Sequence, residues 1–259
     1  MPVSYRLKKI VELLDETELL LDVGCDHAYA SIEAVKNKKA RSVLACDIRK
    51  GPLMQAEANI KTASMSDSVK TLFSDGIREV IAGGFEPDGM IIAGMGGKLM
   101  LDILKGIPTD GRIDKYQEMI TNKAINLLKN MKTIVLSPQS EQELIRHFLI
   151  DEVKINIYDE INIYDEGKYY TIIKLKPADE AVYKKDDYNN EAFYKYGLIS
   201  ALKKEEVFIK GLELSRKRYI EAFEKCKIGS STNAETKLKE LETKIREIEF
   251  ILNYKVNKI

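Results

Sequence analysis

Short apolar runs alternate with segments of helical periodicity from the N-terminus to about residue 140. The runs with strand character span residues 19–23, 42–46, 69–73, 90–93 and 133–136. Apolar residues recur at the spacing of an amphipathic helix over residues 3–14, 29–37, 52–61, 77–82, 97–104 and 119–130. This alternation predicts an α/β fold with a Rossmann-like, mostly parallel sheet.

The pattern changes in the following segment. A helix is predicted over residues 144–149, and strands are predicted over 153–164 and 169–175, joined through Asp165-Glu166-Gly167. A glycine-containing turn between two strands of alternating polarity is typical of a β-hairpin. We therefore expect the sheet to end in an antiparallel hairpin.

Pro177 marks a change in composition, because the chain beyond it is rich in Lys and Glu and has no strand pattern. Two series of residues then step by three and four positions: Ile209, Leu212, Arg216, Tyr219, Phe223 and Cys226, followed by Leu238, Leu241, Ile245, Ile248 and Leu252. Between the two series, Thr232 and Glu235 have the spacing of a helix capping box. This pattern predicts an antiparallel helical coiled-coil hairpin. The expected domains are residues 1–177 and 178–259.

Composition narrows the functional classes. The chain has 259 residues, with 41 Lys and Arg against 41 Asp and Glu, so only a local basic face could bind nucleic acid. The three cysteines, at positions 25, 46 and 226, are odd in number and widely spaced. This pattern favours a protein of a reducing compartment, and it favours the absence of a structural zinc site. The N-terminus is amphipathic, and no apolar run approaches the roughly 18 residues of a membrane span. We therefore expect a cytoplasmic protein that does not bind membranes.

Acidic residues and a glycine follow the first two predicted strands. Asp22 ends strand 1 and Gly24 lies in the turn after it, while Asp47 and Ile48 follow strand 2. Nucleotide-like ligands bind at the carboxyl edge of a parallel sheet in doubly wound folds. These four residues are therefore predicted to bind an adenosine-type cofactor, with Asp47 accepting hydrogen bonds from both ribose hydroxyls. The alternative for Asp47 is a helix N-cap.

The next two strands end in similar turns. Asp75 and Gly76 follow strand 3, where a carboxylate commonly accepts from an adenine amino group, although simple turn chemistry is the alternative. The AGMGG sequence after strand 4 begins with Ala93, Gly94 and Met95. Its glycines let the backbone approach a ligand closely at a helix N-terminus. Met95 either covers the cofactor or fills the core.

The Asp26-His27-Ala28-Tyr29 sequence offers candidate catalytic groups. His27 lies in a polar turn, whereas the other histidine of the chain, His147, lies in a predicted helix. Tyr29 either stacks on a base or packs against the following helix. Gln139, after strand 5, offers an amide that reads a base edge, and its alternative is an ordinary proline-containing loop. Asp26, His27 and Tyr29 are the predicted catalytic residues.

Several motifs are absent from the sequence. There is no Asp/Asn-Pro-Pro-aromatic motif of amino-group methylases and no Pro-Cys nucleophile of pyrimidine methylases, and Cys25 and Cys46 are expected to be packing residues. A dinucleotide-binding G-x-G-x-x-G, a phosphate-binding P-loop and a G-x-S-x-G nucleophile are also missing. With the final hairpin, these absences favour a class I methyltransferase over a dehydrogenase.

The combined motifs resemble those of the bacterial tRNA adenine-22 N1-methyltransferases. The resemblance is carried by D-x-G-x-DHAY, the acidic residue after strand 2, DG after strand 3, AGMGG after strand 4 and the late Glu-Gly-Lys-Tyr-Tyr at 166–170. It covers roughly residues 3–176, and the C-terminal segment is similar to the helical domain of that family. One departure is the Ser-Pro-Gln ending in Gln139, where the family tends to have Gln-Pro-Asn.

This resemblance implies methylation of ring nitrogen 1 of adenine 22 in tRNA with S-adenosylmethionine as cofactor. The nitrogen already carries a lone pair, so neither a covalent intermediate nor a metal is expected, and catalysis consists mainly of positioning. The product is cationic, so Asp26 is expected to stabilise the developing charge. His27 is expected to orient the base or to relay a proton from its amino group.

The RNA must be held while the target base is exposed. Lys210, Arg216, Lys217 and Arg218 of the C-terminal segment are candidate phosphate contacts, and a solvated helix face is the alternative. We expect the protein to be a monomer. Two other classes stay open: a class I methyltransferase acting on a small molecule or protein, with the helices used for dimerisation, and a non-catalytic RNA-binding nucleotide module.

Overall fold

The computed structural model describes residues 3–113, 115–177, 179, 183, 185–228 and 234–255. The strands are β1 (Thr17–Val23), β2 (Ala40–Asp47), β3 (Val69–Phe73), β4 (Gly89–Ala93), β5 (Thr133–Ser137), β6 (Ile157–Asp165) and β7 (Lys168–Leu175). The helices are α1 (Tyr5–Leu13), α2 (Tyr29–Lys36), α3 (Lys50–Thr62), α4 (Arg78–Ala82), α5 (Gly97–Leu104), α6 (Gln117–Lys129), α7 (Gln142–His147), α8 (Glu191–Tyr196), α9 (Leu198–Lys203), α10 (Glu206–Ile228) and α11 (Ala234–Asn253).

The strands form one sheet in the order β3-β2-β1-β4-β5-β7-β6. The first five strands are parallel, whereas β7 runs antiparallel to both β5 and β6. Leu20 and Leu21 are both fully buried, but in different hydrophobic clusters, because successive residues of β1 face opposite sides of the sheet. The predicted Rossmann-like α/β sheet with a final antiparallel hairpin is therefore confirmed.

The segment before the hairpin differs from its prediction. The predicted strand 153–164 begins only at Ile157, because Phe148–Val153 is a π-helical segment that continues α7. This segment ends at Lys154, whose φ is +62°. Val153 and Ile155 are buried and alternate with polar residues, which is the pattern of a strand. Val153, however, is buried as part of a helical segment. The strand prediction for residues 153–156 is therefore wrong.

The helices α10 and α11, called the helical tail below, run antiparallel. Arg216 bonds Glu249, and the Lys244 ammonium lies 5.5 Å from the centre of the Tyr219 ring, so contacts move backward along α11 as they move forward along α10. The predicted helical hairpin is thus present, while its coiled-coil packing stays a prediction. Residues 229–233, which include Thr232 of the predicted capping box, lie outside the described residues.

A buried ion pair, called the junction below, lies where the sheet meets the helices that precede the tail. Arg146 of α7 and Glu160 of β6 are both 0% exposed, with Nε 2.7 Å from Oε1. The Arg146 Nη1 group donates to the backbone oxygens of Tyr194 and Lys195, and Glu160 Oε2 accepts from the backbone N–H of Ser200. The junction therefore fixes α8 and α9 against the sheet.

In the described part of the chain, no helix has both the length and the apolar character needed to cross a membrane.

Candidate active site

A cavity of about 760 Å³ opens at the carboxyl edge of the sheet. It lies where β1 separates β2 from β4, the reversal of strand order at which doubly wound folds bind their ligands. The predicted site residues that line it are Asp22, Gly24, Asp26, His27, Tyr29, Asp47, Ile48, Gly76, Ala93, Gly94, Met95 and Gln139. Residues from five strand ends are thus brought to one cavity.

The turn after β1 is tied to the end of β2. The backbone N–H groups of Gly24 and Cys25 both donate to the carbonyl oxygen of Cys46, at 2.8 and 2.9 Å. Gly24 has φ +73°, and a Cβ atom placed there would lie 2.8 Å from the Met95 methyl group. A glycine is therefore required both by the backbone conformation and by the close approach of Met95.

The backbone on either side of His27 is left-handed. Asp26 has φ +51° and Ala28 has φ +59°. The His27 Nε2 atom lies 3.6 Å from Asp26 Oδ2, and the ring meets Tyr29 edge-on with centroids 6.0 Å apart. Its Nδ1 atom is buried and has no hydrogen-bond partner among the described residues. A buried ring nitrogen without a partner is uncommon in folded proteins, and the ring itself lines the cavity.

Asp22 is buried beside the cavity. Its Oδ2 atom accepts a hydrogen bond of 2.6 Å from the Ser31 hydroxyl. Burial raises the pKa of Asp22 to about 6, and the hydrogen bond from Ser31 opposes this effect only in part. A cationic group in the cavity would favour the ionised carboxylate and lower this pKa again.

Asp47 presents a buried carboxylate at the end of β2. It accepts hydrogen bonds from the backbone N–H groups of Asp26 and Arg49, at 3.3 and 2.8 Å, and from the Arg49 guanidinium. Arg49 also reaches Asp26, with Nη2 3.4 Å from Oδ1. The next residue, Ile48, is 39% exposed and lines the cavity, so it offers an apolar surface beside the carboxylate.

The cysteines near the cavity are not nucleophiles. Cys25 and Cys46 are buried, and burial raises the pKa of both thiols far above its ordinary value. Neither residue forms a thiolate at neutral pH under these conditions. This agrees with their interpretation as packing residues.

The loops after β4 and β5 are hydrogen-bonded to each other. Gln139 N–H donates to the Met95 carbonyl and Gly97 N–H donates to the Ser140 carbonyl, both at 2.9 Å. The Lys98 N–H donates to Glu141 Oε2 at 3.2 Å. A Cβ atom on Gly97 would collide with the neighbouring loop. The first N–H groups of α5 are therefore used to join the two loops, and the cavity is lined instead by Gly94.

The remaining predicted residues lie outside the cavity wall. The Asp75 carboxylate accepts from the Thr109 N–H at 3.0 Å, and Thr109 itself lines the cavity together with Ser74, Gly76 and others. An adenine contact for Asp75 stays a prediction. Four predicted RNA contacts lie on α10, away from the residues that line the cavity: Lys210, Arg216, Lys217 and Arg218.

Arg6 is a cavity residue that the sequence did not reveal. Its guanidinium lies 4.7 Å from the centre of the Tyr170 ring, and its backbone N–H donates to Asp165 Oδ2 at 3.0 Å. Its Nη1 atom is buried without a hydrogen-bond partner in the described part of the chain, and its Nη2 atom lies 3.8 Å from a Cβ position on Gly94. Arg6 thus brings an unpaired cation to the AGMGG loop.

A parallel sheet with a final antiparallel hairpin and a cavity at the β1–β4 reversal is the architecture of a class I methyltransferase. Residues 3–173 match the methyltransferase domain family, and the chain belongs to this family. It is 27% identical over 254 residues to the tRNA (adenine(22)-N(1))-methyltransferase of Bacillus subtilis strain 168, with 97% of this chain and 98% of that protein covered.

Solved structures show the same full-length likeness. The crystal structure of the B. subtilis M1A22 tRNA methyltransferase TrmK has a TM-score of 0.77 and 25% identity, covering 97% of this chain and 99% of that chain. The structure of M. capricolum TrmK in complex with S-adenosyl-homocysteine has a TM-score of 0.76 and 22% identity, covering 96% of this chain and 97% of that chain. The likeness therefore includes the helical tail as well as the sheet.

Proposed function

We propose that this protein transfers a methyl group from S-adenosylmethionine to ring nitrogen 1 of adenine 22 in tRNA. The observation that carries the proposal is the single cavity that gathers Asp22, Asp26, His27, Asp47 and Gly94 at the sheet edge. The B. subtilis relative, which is covered almost end to end, is named for this reaction. The M. capricolum neighbour binds the product form of this cofactor.

The residues of the cavity fit such a cofactor. The Asp47 carboxylate suits the ribose hydroxyls, the exposed side of Ile48 suits the adenine, and the buried Asp22 carboxylate suits a cationic group. The Arg6 guanidinium, which lies at the cavity wall with Nη2 near Gly94, suits the carboxylate at the methionine end. When bound, S-adenosylmethionine supplies a methyl group activated by its positively charged sulfur.

The protein's own groups then act on the adenine. A bond forms between N1 and the methyl carbon while the carbon–sulfur bond breaks, and no proton leaves N1, so a general base at N1 is not needed. The adenine product is cationic, and the Asp26 carboxylate stabilises that charge because it lies at the cavity wall. The His27 ring lines the cavity and is partly exposed, so it orients the base.

The helical tail is the part of the chain to which this proposal assigns RNA binding. Lys217 and Arg218 are exposed and have no ion-pair partner among the described residues, whereas Lys210 pairs with Glu206 and Arg216 pairs with Glu249. Lys217 and Arg218 are therefore the better candidates for phosphate contacts. In this proposal residues 1–177 perform the chemistry, residues 178–259 bind tRNA, and the protein acts as a monomer.

The proposal is tested with labelled S-adenosylmethionine and two unmodified tRNA transcripts that differ only in having adenine or guanine at position 22. Label should enter only the first transcript, and reverse transcription should stop at that position because the Watson–Crick edge of the product is blocked. Asp26→Ala should slow transfer by about 100-fold or more, since it removes charge stabilisation at the reacting base. His147→Ala, which lies outside the cavity, should transfer normally.

Transfer to neither transcript would refute the proposal, provided that the protein still binds S-adenosylmethionine. Equal transfer to both transcripts would refute the choice of adenine 22 as the target. Methylation of a small molecule or a protein in place of RNA would assign the chain to a different substrate class.

A further inference from the structure

The β6–β7 hairpin carries an exposed pair of aromatic rings. Tyr164 and Tyr169 lie opposite each other in the strand register, with ring centroids 4.8 Å apart. The two residues are 53% and 40% exposed, although large aromatic side chains are usually buried to a greater extent. Among the described strands β6 pairs only with β7, so the hairpin is at the edge of the sheet.

One side of this hairpin contacts the cavity through Arg6. The carboxylate of Asp165 accepts from the Arg6 N–H at 3.0 Å, and the Tyr170 ring lies 4.7 Å from the Arg6 guanidinium carbon. Arg6 lines the cavity beside Gly94. The hairpin is therefore a direct neighbour of the cavity wall.

The other side of the hairpin contacts the helical tail. The Tyr169 ring packs against Gly211 of α10, where a Cβ atom would lie 3.0 Å from the ring carbon Cδ1. Successive side chains of β7 point to opposite faces, so Tyr169 faces the tail while Tyr170 faces Arg6. The hairpin thus connects the cavity with α10 through neighbouring residues.

Positive charge continues from the hairpin along α10. Lys168, the first residue of β7, and Lys217 and Arg218 of α10 are exposed without an ion-pair partner among the residues that the structure describes. Lys210, Leu214, Lys217 and Arg218 share one helix face with the acidic Glu221, opposite the residues that face α11. Leu214 is 38% exposed on this face. Aromatic rings beside free cations form the kind of surface that binds single-stranded nucleic acid.

We propose that Tyr164 and Tyr169 form a stacking platform for an unpaired nucleobase of the RNA substrate, between the cavity and the helical tail. The inference rests on the proposed function. Exposing ring nitrogen 1 requires the target base to leave its stack, so a neighbouring base loses a stacking partner. The platform replaces that partner without selecting a sequence, because every base has a π-face.

The test measures the Kd of full-length variants for an unmodified tRNA transcript with adenine 22. Tyr164→Leu removes one ring of the platform and should raise the Kd by on the order of tenfold, the effect of losing one stacked base. Tyr164→Phe keeps the ring and should bind within about twofold of the wild type. Tyr158→Leu is the matched control, because Tyr158 is also an exposed tyrosine of β6, 43% exposed, near the opposite end of the strand.

Ultraviolet crosslinking supplies a second readout. The crosslinked RNA should map to the peptide that contains Tyr164 or Tyr169 in the wild-type protein. The Kd for S-adenosylmethionine should be the same in all four proteins, which shows that the variants are folded and that the cavity is intact.

An unchanged RNA Kd in Tyr164→Leu would overturn the platform. An equal loss of RNA affinity in Tyr158→Leu would also overturn it. So would a wild-type dimer that the Tyr164→Leu substitution dissociates without changing RNA binding, since the sheet edge would then bind a second copy of the chain. A wild-type protein that binds the transcript through Tyr164 but transfers no methyl group would refute only the proposed function. A wild-type protein that does not bind the transcript would refute both.

Discussion

The junction between sheet and helices and the cavity at the sheet edge both bury polar side chains. At the junction, the Arg146 guanidinium and the Glu160 carboxylate bond each other and three backbone groups of α8 and α9. In the cavity, Arg6 Nη1 and His27 Nδ1 are buried with no partner among the described residues. The two arginines thus differ, because Arg146 is hydrogen-bonded on several sides while Arg6 Nη1 has no partner in the described part of the chain. Beside the junction, the buried Tyr188 hydroxyl also has no partner among the described residues, and its ring packs on Tyr194.

This difference between Arg146 and Arg6 predicts different effects of their substitution. A buried polar group without a partner costs free energy, so it persists only where another molecule completes its hydrogen bonds or where the rest of the fold holds it in place. A buried pair with all of its partners needs no ligand. We therefore expect changes at the junction to affect folding and changes in the cavity to affect binding.

The largest expected effect is at the junction. Arg146→Met should lower the free energy of unfolding by about 3–5 kcal/mol, because it leaves the Glu160 carboxylate buried without its partner. The measurement is urea-induced unfolding followed by circular dichroism. Arg216→Met is the matched control, since its pair with Glu249 is about 40% exposed, and the expected loss is less than about 1 kcal/mol.

The double variant Arg146→Met, Glu160→Leu should recover most of the lost stability, because neither charge is then buried alone. If Arg146→Met lost no more stability than Arg216→Met, the junction would not contribute to the stability of the fold.

The second effect concerns Arg6. Arg6→Met should weaken S-adenosylmethionine binding by about 10- to 100-fold, the range expected for hydrogen bonds between charged groups. The free energy of unfolding should change by less than about 1 kcal/mol, because the Nη1 group has no hydrogen bond to lose within the described residues. Calorimetric titration measures the affinity, and Lys8→Met, an exposed change on the same helix, should leave it unchanged. A destabilised variant with normal affinity would contradict the comparison.

The third effect is the pH dependence of Asp22. Because burial raises its folded pKa to about 6, Asp22 favours folding below its ordinary pKa, and this contribution is lost as pH rises through about 6. Binding of a cationic cofactor depends on pH in the opposite direction, because it requires the ionised Asp22 carboxylate and is therefore favoured as pH rises. The affinity for S-adenosylmethionine should therefore rise between about pH 5 and pH 7 and then level off.

Asp22→Asn should weaken this binding and flatten its pH profile, as measured by titration calorimetry across the same range. A profile that keeps the wild-type slope in Asp22→Asn would assign the titration to another group.

The smallest effect is expected at His147, which adjoins the junction because it follows Arg146 in α7 and its ring stacks on Tyr194. Burial alone would lower the pKa of His147, but hydrogen bonds with Asp151 and Glu191 raise it above its ordinary value. This group therefore stabilises the fold fully below about pH 6.5, and the contribution is lost as pH rises through the folded pKa. His147→Gln should reduce the pH dependence of unfolding by less than about 1 kcal/mol, because the ring is 37% exposed. The measurement is urea-induced unfolding at about pH 6 and pH 9. A larger change in the pH dependence would show that His147 contributes to stability as strongly as the junction.

Patterns within short segments predicted most of the fold and much of the cavity. The strands that end at Val23, Asp47, Phe73 and Ala93 have apolar runs of strand length, and a glycine or acidic residue ends each strand or lies within two residues after it. Parallel pairing then places these ends at one edge, so Asp22, Asp47 and Gly94 could be assigned to one site without coordinates.

Long-range contacts could not be predicted in the same way. Arg6 lines the cavity because the β6–β7 hairpin holds the start of α1, a contact between residues 159 positions apart. The Arg146–Glu160 pair could not be predicted either, because in the sequence both residues resemble ordinary charged residues of surface elements. No periodic pattern in the sequence shows which charged side chain is buried by a distant segment.

The left-handed backbone at Ala28 affects which substitutions this position tolerates. A buried small residue at the start of a helix is usually replaced most easily by another apolar residue, but at φ +59° every side chain with a Cβ atom is disfavoured by about 1 kcal/mol or more. Glycine should therefore be the best substitute, followed by asparagine, while valine and isoleucine should be the worst. A saturation library sorted for folded protein would give this order, the reverse of the ranking expected from hydrophobicity alone.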